Sequence, residues 1–347
     1  MADTGSTYRY TTAPSARDVW GMLARGEVMM AIGIVAIVVL LILPIPAFLL
    51  DVLLSISIAS SILILMTSIL IKKPLEFTAF PTVLLVATLF RLALNIATTR
   101  LILSHGHEGS HGAGAVIETF GKLMMGGNFA IGVIVFIILV IVNFVVITKG
   151  SGRIAEVAAR FTLDSLPGKQ MAIDADLSAG LIDQDQAKIR RKELEQESTF
   201  FGAMDGASKF VRGDAVAGLI ILAVNVIGGI LIGVLQHDVP IGEAFSSYTI
   251  MSIGDGLVSQ IPALIISIAA GFLVSKAGVE GSADKALVTQ LGTNPISLGM
   301  VSATAGVLAL IPGMPIIPFA ALSLGAGLLA YRRAQKANEP EVVEIAP

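Results

Sequence analysis

Eight hydrophobic segments run through this chain of 347 residues, and their lengths predict transmembrane α-helices. Most of them are close to the ~20 residues that a helix needs to cross the hydrocarbon core of a bilayer. Only 14% of the residues are charged, whereas a soluble domain usually contains about 25%. We therefore predict an all-α polytopic membrane protein. The eight predicted helices cover residues 28–43, 47–71, 79–103, 128–148, 213–235, 247–275, 296–311 and 316–331.

Polar stretches between these segments divide the chain into five predicted parts. The longest stretch separates the fourth hydrophobic segment from the fifth and predicts a small, mainly helical insert. The parts are an N-terminal segment 1–27, helices one to four in 28–148, the insert 149–212, helices five to eight in 213–331, and the start of a linker in 332–347.

The distribution of lysine and arginine predicts the orientation, because these residues are enriched in loops on the cytoplasmic side. Of the 23, 20 lie on the side of the N-terminus, Lys122 lies on the opposite side, and two lie inside the third segment. Both termini and the insert are therefore predicted to be cytoplasmic. The first 25 residues lack the apolar core and cleavage site of a signal peptide, so we expect the first hydrophobic segment to remain as an anchor.

Three helices are expected in the insert. Residues 152–163 repeat apolar positions at helical spacing. Pro167 is placed to begin a second helix, and Asp183 is placed to cap a third helix over 184–210. The charge run within 188–197 is either a solvated helix face or a docking surface for partners.

Ionised residues inside the hydrophobic segments are the main functional candidates, since each costs roughly 2.5–3.5 kcal/mol to insert. Arg91 lies near the middle of the third segment, and Asn95 follows one turn later on the same face. Arg91 is expected to join an interior polar network. Arg100, nearer the outer end, either joins it or extends to the outer interface.

Two aspartates are the expected acidic partners. Asp214 starts the fifth segment, and Asp255 lies about 12 Å into the sixth, at 1.5 Å per residue. Gly254, Gly256 and Pro262 are expected to weaken the helix there, as in membrane helices that line a cavity. Such a carboxyl group could bind and release a proton or a sodium ion. The alternatives are a helix N-cap for Asp214 and a structural bond between Asp255 and Arg91.

Several weaker signals accompany these residues. Asp51 is either a secondary member of the site or a water-exposed residue at the outer surface. Asn143 and Asn225 are expected to form hydrogen bonds between helices. Gly229 and Gly233, four residues apart, predict a tight helix contact.

Metal, cofactor and enzymatic chemistry are not expected. The chain has no cysteine, which excludes disulfides and thiolate sites. His105, His107 and His111 could bind zinc or nickel, but their glycine-rich loop favours an exposed, flexible segment. There is no glycine-rich phosphate loop followed by Lys and Ser or Thr, so we do not expect ATP hydrolysis.

The run RIAEVAARFTLDSLPGKQMAIDAD at 153–176 closely resembles the signature of the flagellar/Hrp/invasion export-pore (FHIPEP) family. Stretches 91–100, 209–218 and 253–263 also match the family, in the expected order. The signature residues are Arg153, Glu156, Arg160, Phe161, Asp164, Pro167, Gly168, Lys169, Gln170, Asp174 and Asp176.

This resemblance implies an export gate in the bacterial inner membrane. It implies that the chain corresponds to an N-terminal membrane half with eight helices, preceding a large cytoplasmic domain that binds chaperone–substrate complexes. It also implies a homo-oligomeric ring resembling a nonamer, contacts with other gate proteins and an export ATPase complex, and coupling to proton or sodium motive force. Nucleic acid is not an expected partner. The family's charged transmembrane positions correspond to Arg91, Arg100, Lys209, Asp214 and Asp255.

Other function classes fit less well. The alanine- and valine-rich style of the segments favours a flagellar member of the family over an injectisome member. A small-solute secondary transporter would usually show inverted repeats, and none is evident. An intramembrane aspartyl protease would use two aspartates that share a proton. Its motifs require a glycine at the position of Ser252 and a tyrosine at the position of Gly213, directly before Asp214.

Overall fold

Helices form all the regular structure in the described part of a computed structural model, which covers residues 26–276, 295–311 and 315–337. The predicted all-α fold class is confirmed. The N-terminal prediction for residues 1–25 and the linker prediction for 338–347 lie outside the described residues. The α-helices are α1 Gly26–Ile42, α2 Ala47–Leu70, α3 Phe80–His105, α4 Ala115–Met125, α5 Phe129–Val142, α6 Lys149–Ser178, α7 Gln184–Gln236, α8 Ile241–Ser275, α9 Pro295–Leu310 and α10 Ile316–Ala337.

Four of these helices, α2, α3, α7 and α8, are long and apolar enough to cross a membrane. The helices α4 and α5 pass the same length and hydropathy test only when taken together, which would make a fifth span. They are bent by 104° at a short break. Apolar helices within α1 and α9 are shorter. The predicted count of eight spanning helices is therefore not confirmed among the described residues.

The break between α4 and α5 follows from three consecutive residues. Gly126 and Gly127 adopt positive φ angles of 50° and 84°, which glycine tolerates because it has no Cβ. Asn128 then caps α5, and its Oδ1 accepts a hydrogen bond from Ile131 N at 3.2 Å. The chain thus runs along α4, turns sharply and continues along α5 as a bent helix pair.

The insert is a hairpin of two long helices, which corrects the expectation of three. A π-helical turn, Asn143–Thr148, joins α5 directly to α6. Pro167 does not begin a helix but lies inside α6, where it removes one N–H donor without ending a helix that packs along α7. The predicted cap at Asp183 is confirmed, because its side chain accepts from Gln186 N at 2.7 Å in a full capping box.

The two arms of this hairpin are held by an apolar cluster and by ion pairs. Ile173, Ile182, Ala187 and Leu194 form the cluster. The ion pairs are Lys169–Glu197 at 3.0 Å, Arg190–Asp176 at 3.0 Å, and Arg191–Asp174.

One continuous helix of 53 residues, α7, contains both the third predicted insert helix and the fifth predicted membrane segment. At 1.5 Å per residue it is about 80 Å long. The expected boundary near Gly213 is absent because the helix continues through it. The hairpin and the membrane bundle are therefore connected without a flexible joint along α7.

The bundle core lies among α2, α3, α4 and α8, where Leu50, Leu94, Ile117 and Met251 are buried. Tyr248 of α8 fills a slot whose walls include Gly229 and Gly233 of α7, and a Cβ at Gly233 would lie 2.7 Å from its ring. This confirms the predicted tight contact at the two glycines. Large apolar side chains remain exposed at helical spacing along α5, at Ile131, Ile134 and Ile138, as expected for contact with lipid.

The described residues form two compact units. The larger comprises described residues up to Ser68 together with Phe77–Val274, and the smaller comprises Ile69–Glu76 and the described residues from Ser275. Within the smaller unit, α9 and α10 form a hairpin in which Ser302 and Ser323 each donate to the other's backbone carbonyl, at 2.7 and 2.8 Å. Lys276 Nζ donates to the carbonyls of Ile69 and Ile71.

Candidate functional site

Arg91, Asp214 and Asp255 line one cavity inside the membrane bundle, although they come from three helices, α3, α7 and α8. The cavity volume is about 50 Å³, which is enough for a small number of water molecules. All three residues were predicted from the sequence as the main candidates, and the structure brings them together. The polar lining consists of these three residues and Asn95, Asn143, Ser259 and Gln260.

Arg91 and Asp214 form a buried ion pair between Nη2 and Oδ2. Only 3% of Arg91 and 5% of Asp214 are exposed. Asp214 lies well inside α7, so the alternative of a helix N-cap is wrong. Arg91 Nη1 and Asp214 Oδ1 have no hydrogen-bond partner among the described residues. These free atoms leave the pair able to bind water in the cavity.

Asp255 has no cationic partner in the described structure, so the alternative of a bond to Arg91 is also wrong. Its Oδ2 accepts from Asn225 Nδ2 at 3.3 Å, and the Thr98 side chain also lies close to the carboxyl group. Its Oδ1 has no hydrogen-bond partner within 3.5 Å among the described residues. The residue is 4% exposed. A buried carboxyl group without a paired cation is costly when ionised, which makes Asp255 the member of the cluster best placed to gain or lose a cation.

The expected break in the helix around Asp255 is not observed, because α8 runs unbroken from Ile241 to Ser275 with Pro262 inside it. The two neighbouring glycines have packing roles instead. A Cβ at Gly254 would lie 3.1 Å from Gly121 N, and one at Gly256 would lie 2.7 Å from the Phe136 ring. Both glycines allow close approach of other helices, so they do not indicate unwinding.

Two further polar pairs extend the site. Ser259 Oγ donates to Asn95 Oδ1 at 2.6 Å, and Asn143 Nδ2 contacts Gln260 Oε1 at 3.5 Å. Asn143 begins the π-helical turn, and such turns are frequent at functional sites. Sequence reasoning missed Ser259 and Gln260, although two adjacent polar residues one turn after Asp255 were a visible signal.

The interhelical role predicted for Asn143 and Asn225 is confirmed by these bonds. Each asparagine also has a buried Oδ1 without a partner among the described residues. The network is therefore only partly satisfied by protein groups. Unsatisfied buried polar atoms around a cavity favour ordered water or an ion.

The other charged candidates lie away from this cavity. Arg100 Nη1 donates to Ile42 O at 2.8 Å, at the C-terminus of α1. Lys209 is exposed on the polar part of α7 and pairs with Asp205 at 2.7 Å. Its hydrogen bond to that carboxylate raises the pKa of the Lys209 ammonium. Asp51 caps α4, so it is neither in the cavity nor merely facing water.

The signature residues occupy the α6–α7 hairpin and do not line the cavity. Arg160 and Asp164 pair along α6 at 3.9 Å, and 70% of Phe161 is exposed. Lys169, Asp174 and Asp176 pair across to α7, as described above, and Gln170 lines a surface groove beside Asp174. Arg153, Glu156, Pro167 and Gly168 are exposed on α6.

The histidine-rich loop packs more closely than expected. His107 stacks on His237 with ring centroids 3.7 Å apart and planes inclined by 4°. The described residues contain no group of three or more potential metal ligands. Parallel stacked rings do not converge on a common ion, so this pair is a packing contact between the loop and the end of α7.

The cluster has ligand groups that suit a small cation. Asp255 Oδ1 accepts no hydrogen bond from the part of the chain that the structure describes, and amide and hydroxyl groups line the space towards Asp214. Oxygen ligands suit hard cations, and a carboxylate with water can also exchange a proton. Asp214 is engaged by Arg91, which does not fit a pair of aspartates that share one proton.

The sequence of this chain is similar to those of known proteins. The FHIPEP family model matches residues 37–346. The chain is 73% identical over 346 residues to the flagellar biosynthesis protein FlhA of Caulobacter vibrioides, covering 100% of the chain and 49% of the relative. It is 54% identical over 319 residues to FlhA of Escherichia coli, covering 90% and 46% respectively. The chain thus spans about half the length of these relatives. No solved structure matches it.

Proposed function

This chain belongs to the FHIPEP family, and from that membership we propose that it is a membrane component of a flagellar type III protein-export gate. In this proposal it couples a proton or sodium gradient to the export of unfolded flagellar subunits. The flagellar names of the relatives favour this over an injectisome gate. The observation that supports the ion coupling is Asp255, a buried carboxyl group beside a polar cavity with no cationic partner among the described residues.

Asp255 and Asp214 have different roles in this mechanism. Arg91 neutralises Asp214, so the pair contributes a fixed dipole and free polar atoms to the cavity. Asp255 takes up the cation from water in the cavity and releases it again. Asn225, which donates to Asp255 Oδ2 at 3.3 Å, orients the carboxyl group. Asn143 and Gln260 line the same cavity towards the hairpin end of α8.

The proposed setting is the bacterial inner membrane, with both termini and the α6–α7 hairpin in the cytoplasm. The lysine and arginine distribution supports this orientation. The charged, exposed surface of the hairpin suits contacts with soluble partners, and we propose assembly as a homo-oligomeric ring with other export-gate proteins. Contacts with the export ATPase complex and chaperone–substrate complexes are proposed mainly for the half of the relatives that this chain does not span.

Ion flux into liposomes containing the chain tests this proposal. Wild type, Asp214→Asn and Asp255→Asn are compared at varied pH and sodium concentration, which identifies the ion. The matched control is Asp238→Asn, because Asp238 is exposed and has φ 53°, a conformation that asparagine also adopts readily. We expect flux to be lost in Asp255→Asn and retained in the control.

An export assay in cells completes the test. Asp214→Asn and Asp255→Asn are introduced into the full-length protein, and secreted flagellar subunits are measured beside the amount of protein in the membrane. We expect both variants to insert and neither to export. Export at wild-type levels in both variants would rule out the ion pathway through this cluster.

A further inference from the structure

We propose that Asp51 is a positioning residue: it holds helix α4 against α8 at Gly254, directly before Asp255, and so restricts access to Asp255 from the distal end of the bundle. The distal end is defined here as the end of the bundle opposite the α6–α7 hairpin, where α3 and α7 finish and α8 begins. The proposal deepens the proposed function, since it assigns a closing element to the same ion site.

The first step is the contact between Asp51 and α4. Asp51 Oδ2 accepts from Ala115 N at 3.0 Å, and Asp51 Oδ1 accepts from Val116 N at 3.0 Å. These are two of the amide groups that a helix N-terminus leaves without intrahelical partners. An aspartate normally caps its own helix, but here the carboxylate comes from α2, 64 and 65 residues away.

Gly114 makes this cap possible. Its φ is +110°, and a Cβ at this position would lie 2.7 Å from Asp51 Oδ1. Any larger residue would therefore strain the backbone and push the carboxylate away from the helix. A glycine directly before α4 is consistent with a site built for the Asp51 side chain.

The second step is the contact between α4 and the helix that carries Asp255. A Cβ at Gly121 would lie 3.0 Å from the Ile250 side chain, and a Cβ at Gly254 would lie 3.1 Å from Gly121 N. The backbones of α4 and α8 thus touch one residue before Asp255. Met125, at the end of α4, belongs with Ile253 of α8 to a small buried cluster.

The third step is the glycine connections at both ends of α4. The helix has only 11 residues. It begins after Gly114 and ends at Gly126 and Gly127, and all three glycines have positive φ. Short connections of this kind absorb backbone rotation. Asp51 is therefore the polar side chain that anchors an otherwise hinged helix at its N-terminus.

Together these contacts make Asp51 a latch for α4. When both hydrogen bonds are present, α4 stays packed against α8 at Gly254, directly before Asp255, with Met125 in the same buried cluster as Ile253. When the carboxylate is removed, the two amide groups lose their partner and α4 separates more often from α8. Water then reaches Asp255 from the distal end, and ion passage is no longer restricted.

Thiol labelling tests the latch without any assumption about ions or orientation. The chain has no cysteine, so single reporters can be introduced in nanodiscs, where both faces are accessible. Ile253→Cys reports on the surface beneath α4, since Ile253 is 3% exposed. Ser61→Cys on α2, at a position that is 0% exposed, reports on general loosening. A membrane-impermeant thiol reagent is applied to each.

We expect Asp51→Ala to increase the labelling rate of Ile253→Cys by about tenfold or more, because labelling follows the population of the open form. Gly114→Ala is expected to act in the same direction. The rate at Ser61→Cys should not change. Ser55→Ala is the matched control, since Ser55 donates only to the Asp51 backbone carbonyl, at 2.8 Å, and leaves the carboxylate contacts intact. An unchanged rate at Ile253→Cys in both variants, or an equal rise at both reporters, would overturn the latch.

A second measurement separates this proposal from the proposed function. Passive ion flux is measured in liposomes for Asp51→Ala and for Asp51→Ala with Asp255→Asn. Increased flux that disappears in the double variant supports both proposals. Increased labelling with flux that does not depend on Asp255 supports the latch and refutes the ion pathway. Unchanged labelling, with flux still lost in Asp255→Asn alone, refutes the latch and supports the pathway.

Discussion

Replacement of Asp214 by asparagine should destabilise the bundle far more than the same replacement at Asp255. The Arg91 and Asp214 side chains are only 4% and 3% exposed, and the guanidinium would remain charged and buried after the carboxylate is lost. Breaking a buried ion pair from one side costs about 3–5 kcal/mol, because the remaining charge is uncompensated. Arg91 Nη1 already lacks a partner among the described residues, so the local structure has no ready substitute.

Asp255→Asn is the matched control for this measurement. Both substitutions replace one carboxylate oxygen by an NH2 group, and Asp255 is buried like Asp214, with 4% of the residue exposed. Asn225 Nδ2 donates to Asp255 Oδ2, and an asparagine at 255 would still offer an oxygen to accept that bond. We expect a cost of at most about 1 kcal/mol, the usual net value of one hydrogen bond.

Equilibrium unfolding in mixed micelles, followed by circular dichroism, gives the free energy of unfolding of each variant. A double variant, Arg91→Met with Asp214→Leu, should recover most of the loss, because removing both charges leaves no unpaired ion. The coupling between the two positions is obtained from the double-mutant cycle. A cost for Asp214→Asn that does not exceed the cost for Asp255→Asn would refute the assignment of a structural ion pair.

Three further predictions concern packing and local stability. Gly254→Ala should destabilise the bundle by about 1–3 kcal/mol through overpacking against α4, whereas Gly242→Ala on the same helix, with nothing within 4 Å, should have little effect in the same unfolding assay. Asp183→Ala should remove about 1 kcal/mol of stability from the start of α7, seen as faster amide exchange confined to its first turn; unchanged exchange would contradict the cap. Lys169→Ala should cost less than about 1 kcal/mol, since its bridge to Glu197 is partly exposed, and thermal melts that show a larger loss would refute this.

Local chemistry was sufficient to predict several features of this chain. Asp183 and Gln186 lie three residues apart in the pattern of a capping box, and both hydrogen bonds are observed. The rarity of charge within hydrophobic segments selected Arg91, Asp214 and Asp255, which line the cavity, but it also selected Arg100, which does not. Both kinds of prediction depend on residue identity and short spacing, which are visible in the sequence.

Glycine and proline were interpreted less successfully, because their effect depends on what lies opposite them. Gly254 and Gly256 suggested a weakened helix, yet each lies against another helix in an unbroken α8. Pro167 suggested a helix start, yet α6 continues through it. A missing Cβ permits both close packing and unusual backbone angles, and only the neighbouring element distinguishes these uses.

The role of Asp51 shows the same dependence on distant residues. Its acceptors are satisfied by amide groups of a helix 64 and 65 residues later, and nothing in the local sequence around Asp51 indicates that contact. Ser259 and Gln260 likewise gain their partners, Asn95 and Asn143, only when α8 packs against α3 and against the π-helical turn after α5.

The sequence by itself determined that this chain is an all-α membrane protein of the FHIPEP family with a small set of charged residues inside its hydrophobic segments. Hydrophobicity sums along a segment, and caps act over one turn, so these properties need no knowledge of neighbours. The tertiary structure decided that Arg91 pairs with Asp214, 123 residues away, and that Asp255 has no cation beside it among the described residues. Pairing depends on how each helix is rotated and packed, and a sequence does not state those angles.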